Sequence, residues 1–127
     1  MGNAKILAID DEREVLELLK AHLEFEGYDV ITAKDGDEGI EMAKKEKPDL
    51  IICDIRMPKK DGHEVLKAVR EEVDKNMPFI IMSVMDDYEN IKAAHDEKAD
   101  LYVSKRVELS ELSKRIKSLL KLRRGRA

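Results

Sequence analysis

The chain of 127 residues contains one cysteine, Cys53, and no apolar run long enough to cross a membrane. A single cysteine excludes a disulfide within the chain and a zinc cluster built from cysteines. A membrane-spanning helix needs about 20 consecutive, mostly apolar residues, and no window approaches that length. The first ten residues, MGNAKILAID, also lack the pattern of a signal peptide. We therefore expect a soluble cytoplasmic protein.

The chain also lacks an excess of positive charge, since its formal net charge is −4. This balance disfavours nucleic acid or an anionic membrane as a direct partner of the domain. Charged residues make up 41% of the chain, compared with roughly 25% in typical soluble domains, so the surface should be densely ionic. The length suits one domain with one core. We place that domain at residues 1–122 and interpret residues 123–127 as a basic C-terminal tail.

Short apolar runs alternate with longer segments of helical periodicity, which is typical of β–α units on a parallel sheet. The third and fourth runs are apolar nearly throughout, as expected for strands that are covered on both faces. Asp35-Gly36, Asp61-Gly62 and Asp86-Asp87 mark the starts of the second, third and fourth helices. The predicted strands are residues 5–10, 28–33, 50–55, 79–84 and 101–104. The sequence therefore predicts an α/β fold of five β–α units.

Polar side chains stand at the ends of four of the predicted strands. Asp10 and Asp11 end the first strand, Asp54 the third, Ser83 the fourth and Lys105 the fifth. Ligands of open α/β sheets bind beyond the carboxyl ends of the strands, so we expect these side chains to converge. Three neighbouring carboxylates repel one another unless a cation lies between them. An all-oxygen site with room for water suits Mg²⁺.

In their order and spacing these residues resemble the signature of response-regulator receiver domains of two-component systems. The resemblance extends along essentially the whole chain. It implies a flavodoxin-like, doubly wound, five-stranded parallel sheet of order 2-1-3-4-5 with five helices, two on one face and three on the other. It also implies that a histidine kinase or a histidine phosphotransfer protein phosphorylates Asp54. The matching residues are Asp10-Asp11, Asp54 within DLIICDIRMPKKDG, Ser83, Tyr102 and Lys105.

The resemblance implies a role for each residue of the site. Asp54 would supply the nucleophilic carboxylate, and the protein would otherwise position groups and neutralise charge. Lys105 would pair with one phosphoryl oxygen and Ser83 would hydrogen-bond another. Such a domain assists its own phosphorylation and dephosphorylation but is not a conventional enzyme. The Mg²⁺ ligands would be Asp10, acting largely through water, Asp11, Asp54 and the backbone carbonyl of Arg56.

Ser83 and Tyr102 would form the switch. Movement of Ser83 toward the phosphoryl group would vacate space for Tyr102, which changes the surface formed by the fourth helix, the fifth strand and the fifth helix. We expect that surface to bind an output partner or a second copy of the chain after phosphorylation. Arg56 and Met85 would tune dephosphorylation, and since neither can accept a proton from water, we expect slow hydrolysis of the aspartyl phosphate.

Three positions depart from the usual pattern of the family. Arg106 stands where a proline in a cis peptide normally follows the lysine. Because a cis bond before a residue other than proline costs about 3 kcal/mol, we predict a trans bond between Lys105 and Arg106. Val84 replaces the usual alanine or glycine, and Lys98-Ala99 replaces a Gly-Ala pair. We expect these departures to bear on the loop geometry and on the rate of phosphorylation, but they remove no catalytic group.

Other classes of protein fit less well. A flavodoxin needs a phosphate cradle rich in serine, threonine and glycine after the first strand, where this chain has DDEREV. A Mg²⁺-dependent phosphohydrolase resembling the haloacid dehalogenase family needs Asp-x-Asp and a capping insert, whereas Asp54 is followed by Ile55-Arg56. A third alternative is a receiver-like interaction module that signals without phosphorylation.

Overall fold

The computed structural model describes residues 3–84 and 99–126. Within them, five parallel strands form one sheet of order β2-β1-β3-β4-β5, as predicted. The strands are β1 (Lys5–Ile9), β2 (Asp29–Ala33), β3 (Leu50–Asp54), β4 (Phe79–Ser83) and β5 (Leu101–Ser104). The helices are α1 (Arg13–Phe25), α2 (Gly36–Glu46), α3 (Gly62–Glu72) and α4 (Leu109–Arg126).

The number of helices in this part of the chain is therefore four, where the sequence predicted five for the whole. The missing one is the helix predicted to begin at Asp86-Asp87, which lies outside the described residues. The C-terminal helix, predicted as the fifth, is accordingly α4. Each strand begins and ends within one residue of its predicted bounds.

The helices cover both faces of the sheet with two separate clusters of buried apolar side chains. On one face, α2 and α3 pack through Ile40, Ala43 and Leu66 against the sheet. On the other face, α1 and α4 pack through residues such as Leu19 and Ile116. Strands β3 and β4 are buried along their whole length because they lie between both layers.

Aspartates begin α2 and α3 as the sequence predicted. The Asp35 carboxylate accepts a hydrogen bond from the Glu38 N–H at 2.8 Å. Asp61 and Glu64 form a reciprocal capping box at the start of α3. These bonds satisfy N–H groups that a helix leaves unpaired at its first turn, and so they determine where each helix leaves the edge of the sheet.

Helix α4 continues to Arg126, so no end of secondary structure separates residues 1–122 from the predicted tail. Arg123 contacts the segment between α3 and β4, with its Nη2 atom 2.8 Å from Asp74 Oδ2. The peptide bond between Lys105 and Arg106 is trans, as predicted, and the described residues contain no cis bond. In the part of the chain described, no helix combines the length and the apolar character needed to cross a membrane.

Candidate metal centre and its lysine

Four carboxylates meet where β1 and β3 end at the same edge of the sheet. Asp10, Asp11, Glu12 and Asp54 each offer an oxygen, and these atoms all lie within 4.8 Å of one another. β1 and β3 are paired neighbours in the sheet, with Ile9 opposite Cys53. The acids at the ends of the two strands therefore lie close together. Asp10 and Asp54 are buried, at 3% and 6% exposure, whereas Asp11 and Glu12 are exposed. The cluster is thus built into the fold on one side and open to solvent on the other.

Lys105 brings a positive charge into this cluster from the end of β5. Its Nζ atom lies 2.9 Å from Asp10 Oδ2, 2.9 Å from Glu12 Oε1 and 3.3 Å from Asp54 Oδ2. The Lys105 N–H donates to the Ser83 carbonyl at 2.8 Å, which ties the loop after β5 to the end of β4. The side chain is 8% exposed. One ammonium therefore contacts three carboxylates in a largely desolvated position.

The protonation behaviour of the site follows from burial and from the crowding of charge. Burial, followed by the negative charge of Asp10, raises the pKa of Asp54 to about 6, although Lys105 partly offsets this. Burial likewise raises the pKa of Asp10, against hydrogen bonds from Lys105 and the Glu12 N–H. Burial alone would lower the pKa of Lys105, but hydrogen bonds to Asp10 and Glu12 outweigh it and raise that pKa. The lysine therefore stays charged, while the aspartates resist ionisation.

The donor set fits the cation that the sequence predicted. All of the donors are oxygens, which hard divalent cations such as Mg²⁺ prefer, and the open side leaves room for water ligands. One ammonium does not neutralise four carboxylates, so a divalent cation would relieve the remaining repulsion. Arg56 lies two residues beyond Asp54, in the loop toward α3, and its side chain is exposed.

Ser83 and Tyr102 lie on the same face of the sheet. Ser83 is 4% exposed at the end of β4, and Tyr102 is half-buried in β5. Side chains alternate between faces along a strand, so Ser83 shares the face of Ile81, the residue that pairs with Tyr102. Tyr102 packs against the apolar cluster of that face. The two predicted switch residues therefore occupy neighbouring strands on one side, while Met85 lies outside the described residues.

Glu12 is the member of the cluster that sequence reasoning missed. Its carboxylate lies in the group of possible metal ligands and contacts Lys105. A signal was present, because three consecutive acids follow β1 and the third stands at the start of a helix. A glutamate is a poor choice for that position unless its side chain has another partner.

Gly62 allows α3 to begin directly against the residue that ends β3. A side-chain carbon at this position would lie 2.5 Å from the Asp54 carbonyl oxygen and 2.9 Å from Ile55 Cα. The Gly62 N–H donates to the Ile55 carbonyl at 2.8 Å. The helix therefore holds the backbone of Asp54 in place through a contact that only glycine permits.

Curated relatives are transcriptional and response regulators. Alkaline phosphatase synthesis transcriptional regulatory protein PhoP of Bacillus subtilis is 41% identical over 120 residues, covering 94% of this chain and 49% of the relative. Response regulator MprA of Mycobacterium leprae is 39% identical over 117 residues, covering 92% of this chain and 51% of the relative. The chain thus spans about half the length of these curated relatives.

Solved structures and a family model also match receiver domains, and they do so along most of this chain. The CheY-like receiver domain protein of Methanospirillum hungatei superposes with a TM-score of 0.93 at 31% identity, covering 99% of this chain and 100% of that one. A receiver domain protein of Clostridium thermocellum gives a TM-score of 0.92 at 32% identity, covering 98% and 99% of the two chains. The family model for the response regulator receiver domain matches residues 6–117. This chain therefore belongs to the response regulator receiver domain family.

Proposed function

We propose that this domain accepts a phosphoryl group on Asp54, in a reaction that depends on Mg²⁺. The observation that supports this most strongly is the meeting of Asp54, a cluster of oxygen donors and the buried Lys105 ammonium at one edge of the sheet. Receiver domains act as phosphoacceptors in two-component systems, where histidine kinases are their partners. A histidine kinase or a histidine phosphotransfer protein is accordingly the proposed donor.

The chemistry assigns a separate task to each group of the site. Both oxygens of Asp10 are engaged, one by the Glu12 N–H and one by Lys105, which favours Asp54 as the nucleophile. Mg²⁺, when bound, would neutralise charge on the incoming phosphoryl group. Lys105 would pair with one phosphoryl oxygen, as a compact ammonium does well, and Ser83 would hydrogen-bond another. The proposed holders of the ion are Asp10, Asp11, Asp54 and the backbone carbonyl of Arg56.

The domain itself would then assist both the gain and the loss of its phosphoryl group, without turning over a separate substrate as a conventional enzyme does. Hydrolysis requires a water molecule in line with the phosphorus–oxygen bond. Arg56 and Met85 are the side chains proposed to limit its approach. Neither has a carboxylate or an amide to orient that water, so the phosphorylated state should be long-lived.

Ser83 and Tyr102 are proposed to connect the site to the surface. A phosphoryl group that draws the Ser83 hydroxyl toward itself would release space for Tyr102 on the same face of the sheet. The surface affected would comprise β5, α4 and the helix predicted within residues 85–98. We propose that this surface binds an output partner or a second copy of the chain, and that the domain itself contacts neither nucleic acid nor membrane.

Intact-mass measurement after incubation with phosphoramidate tests this proposal. The protein should gain the mass of one phosphoryl group with Mg²⁺ present and none with a chelator. Asp54→Asn should gain none under either condition. Modification that survives chelation or persists in Asp54→Asn would contradict the assignment. A wild-type protein that binds Mg²⁺ but is never modified would favour the alternative, an interaction module that signals without phosphorylation.

A further inference from the structure

Glu12 contributes a carboxylate to the site but has no task in the chemistry proposed above. Its Oε1 atom lies 2.9 Å from Lys105 Nζ, as close as Asp10 Oδ2 and closer than Asp54 Oδ2, which lies at 3.3 Å. An ammonium has three hydrogens to donate, and here three carboxylates lie within its reach. Two of these carboxylates belong to the proposed Mg²⁺ ligands. The third, Glu12, is not in that proposed set, and its carboxylate would therefore stay available to Lys105 when the ion is bound.

At the start of α1, the contact of the Glu12 side chain with Lys105 stands in place of the usual hydrogen bond from an N-cap side chain to the helix. Glu12 is the N-cap residue of α1, yet its side chain makes no capping hydrogen bond. Serine, threonine, aspartate and asparagine are the side chains that cap helices well. The Glu12 N–H instead donates to Asp10 Oδ1 at 2.9 Å, and its carbonyl accepts from the Val15 N–H at 3.1 Å. The backbone of Glu12 is thus held at both ends, while its carboxylate contacts Lys105 rather than the helix.

From these contacts we infer that Glu12 is a positioning residue, which draws Lys105 off the metal-binding carboxylates. This inference rests on the proposed function, because it takes Asp10 and Asp54 as Mg²⁺ ligands. An ammonium and a divalent cation compete for the same oxygens of these two aspartates. A carboxylate outside the metal set gives the ammonium a second partner when the cation enters. Lys105 then remains at the rim of the site, close to where a phosphoryl oxygen arrives.

The variant Glu12→Gln tests the first consequence. Glutamine keeps the shape of the side chain but loses its charge, so Lys105 should pair more closely with Asp10 and Asp54. We expect the Kd for Mg²⁺, measured by titration calorimetry on the metal-free protein, to rise about fivefold, as for the loss of one partly exposed ion pair. Glu14→Gln, which removes an exposed charge from the first turn of the same helix, should change the Kd less than about twofold.

A second variant, Glu12→Asp, separates the effect of the side chain's length from that of its negative charge. Glu12→Asp keeps the negative charge but shortens the side chain by one methylene, so it should no longer reach Lys105. The Kd for Mg²⁺ should rise about as much as in Glu12→Gln, while thermal stability should not fall, because aspartate caps helices well. A wild-type Kd in Glu12→Asp would show that charge alone is sufficient and would overturn the inference.

A double-mutant cycle with Lys105→Met shows whether Glu12 acts through the lysine. In the Lys105→Met background there is no ammonium to draw away, so adding Glu12→Gln should change the Kd less than about twofold. If Glu12→Gln raised the Kd for Mg²⁺ fivefold in both backgrounds, Glu12 would act on the metal directly. That result would overturn this inference but leave the proposed function standing. A wild-type protein that binds no Mg²⁺ would contradict the proposed function as well, which distinguishes the two failures.

Discussion

Asp54 combines the roles of buried carboxylate and proposed nucleophile, and its ionisation should weaken the fold. Its pKa of about 6 lies above the ordinary value of 3.8, chiefly because the side chain is buried. The folded state therefore keeps a proton on Asp54 that the unfolded state has already lost. The free energy of unfolding should fall as the pH rises from the ordinary pKa of 3.8 to the raised pKa of about 6, and then level off.

We accordingly predict that Asp54→Asn stabilises the metal-free protein at neutral pH. The free energy of unfolding, measured by urea titration with a chelator present, should exceed that of the wild type by about 1–2 kcal/mol above about pH 7. At about pH 4 the two proteins should be nearly equal, since Asp54 is then protonated in the folded wild type. Asp29→Asn, at an exposed position at the start of β2, is the control. A difference that does not depend on pH would contradict this explanation.

Arg56 allows a separate test of the proposed slow hydrolysis. Replacement by asparagine removes a cation that can shield the phosphoryl group and adds an amide that can orient water. We predict a shorter half-life of the aspartyl phosphate in Arg56→Asn at saturating Mg²⁺, followed by intact mass. Arg56→Met, which removes the cation without adding an amide, should shorten it less. An unchanged or longer half-life in Arg56→Asn would show that this side chain does not limit water access.

Among the elements, the junction of β3 and α3 matters most for the geometry of the site. We predict that Gly62→Ala lowers the free energy of unfolding by about 1–3 kcal/mol, because the new methyl group overlaps the Asp54 backbone. It should also weaken Mg²⁺ binding, measured by calorimetry, since Asp54 must shift. Gly27→Ala is a matched control: its φ of +98° makes alanine unfavourable, but it lies at the other end of the sheet. Equal Mg²⁺ affinities in wild type and Gly62→Ala would contradict the expectation.

Arg123, the first residue of the predicted tail, connects the C-terminal helix to the body of the domain. Besides its ion pair with Asp74, Arg123 donates through Nη1 to the Asp49 carbonyl at 3.4 Å. We predict that Arg123→Ala lowers the free energy of unfolding in urea by about 0.5–1.5 kcal/mol. Among the described residues, Arg115 pairs with Glu111 of the same helix at an exposed position, so Arg115→Ala should cost less than about 0.5 kcal/mol. Equal losses would indicate that the folded unit ends before Arg123.

How far the sequence predicted these elements depended on the range of the interactions involved. The strands could be predicted because burial on both faces leaves continuous apolar runs, and the starts of α2 and α3 because Asp35 and Asp61 cap them locally. The contact between Glu12 and Lys105 was missed, because the strand ends place both residues at one edge of the sheet but do not show which way an exposed glutamate side chain turns at a helix start. Likewise the contact of Arg123 with Asp74 depends on how α4 lies across the sheet. Local patterns do not contain that information.

At the scale of the whole molecule, the proposed phosphoryl site and the Arg123 contact lie at opposite ends of the parallel sheet. The site is at the carboxyl ends of the strands, where loops can differ without disturbing the core. The chain spans about half the length of its curated relatives. We propose β5 and α4 as part of the surface through which the phosphorylation signal leaves this domain.

We propose that Asp54, and no other acid of the cluster, receives the phosphoryl group. Treatment of the phosphorylated protein with borohydride reduces an aspartyl phosphate to homoserine, which peptide mass spectrometry can locate. We predict homoserine at position 54 in protein phosphorylated with Mg²⁺, and none in chelated samples. Homoserine at position 10 or 11, or the corresponding reduced product at Glu12, would contradict it.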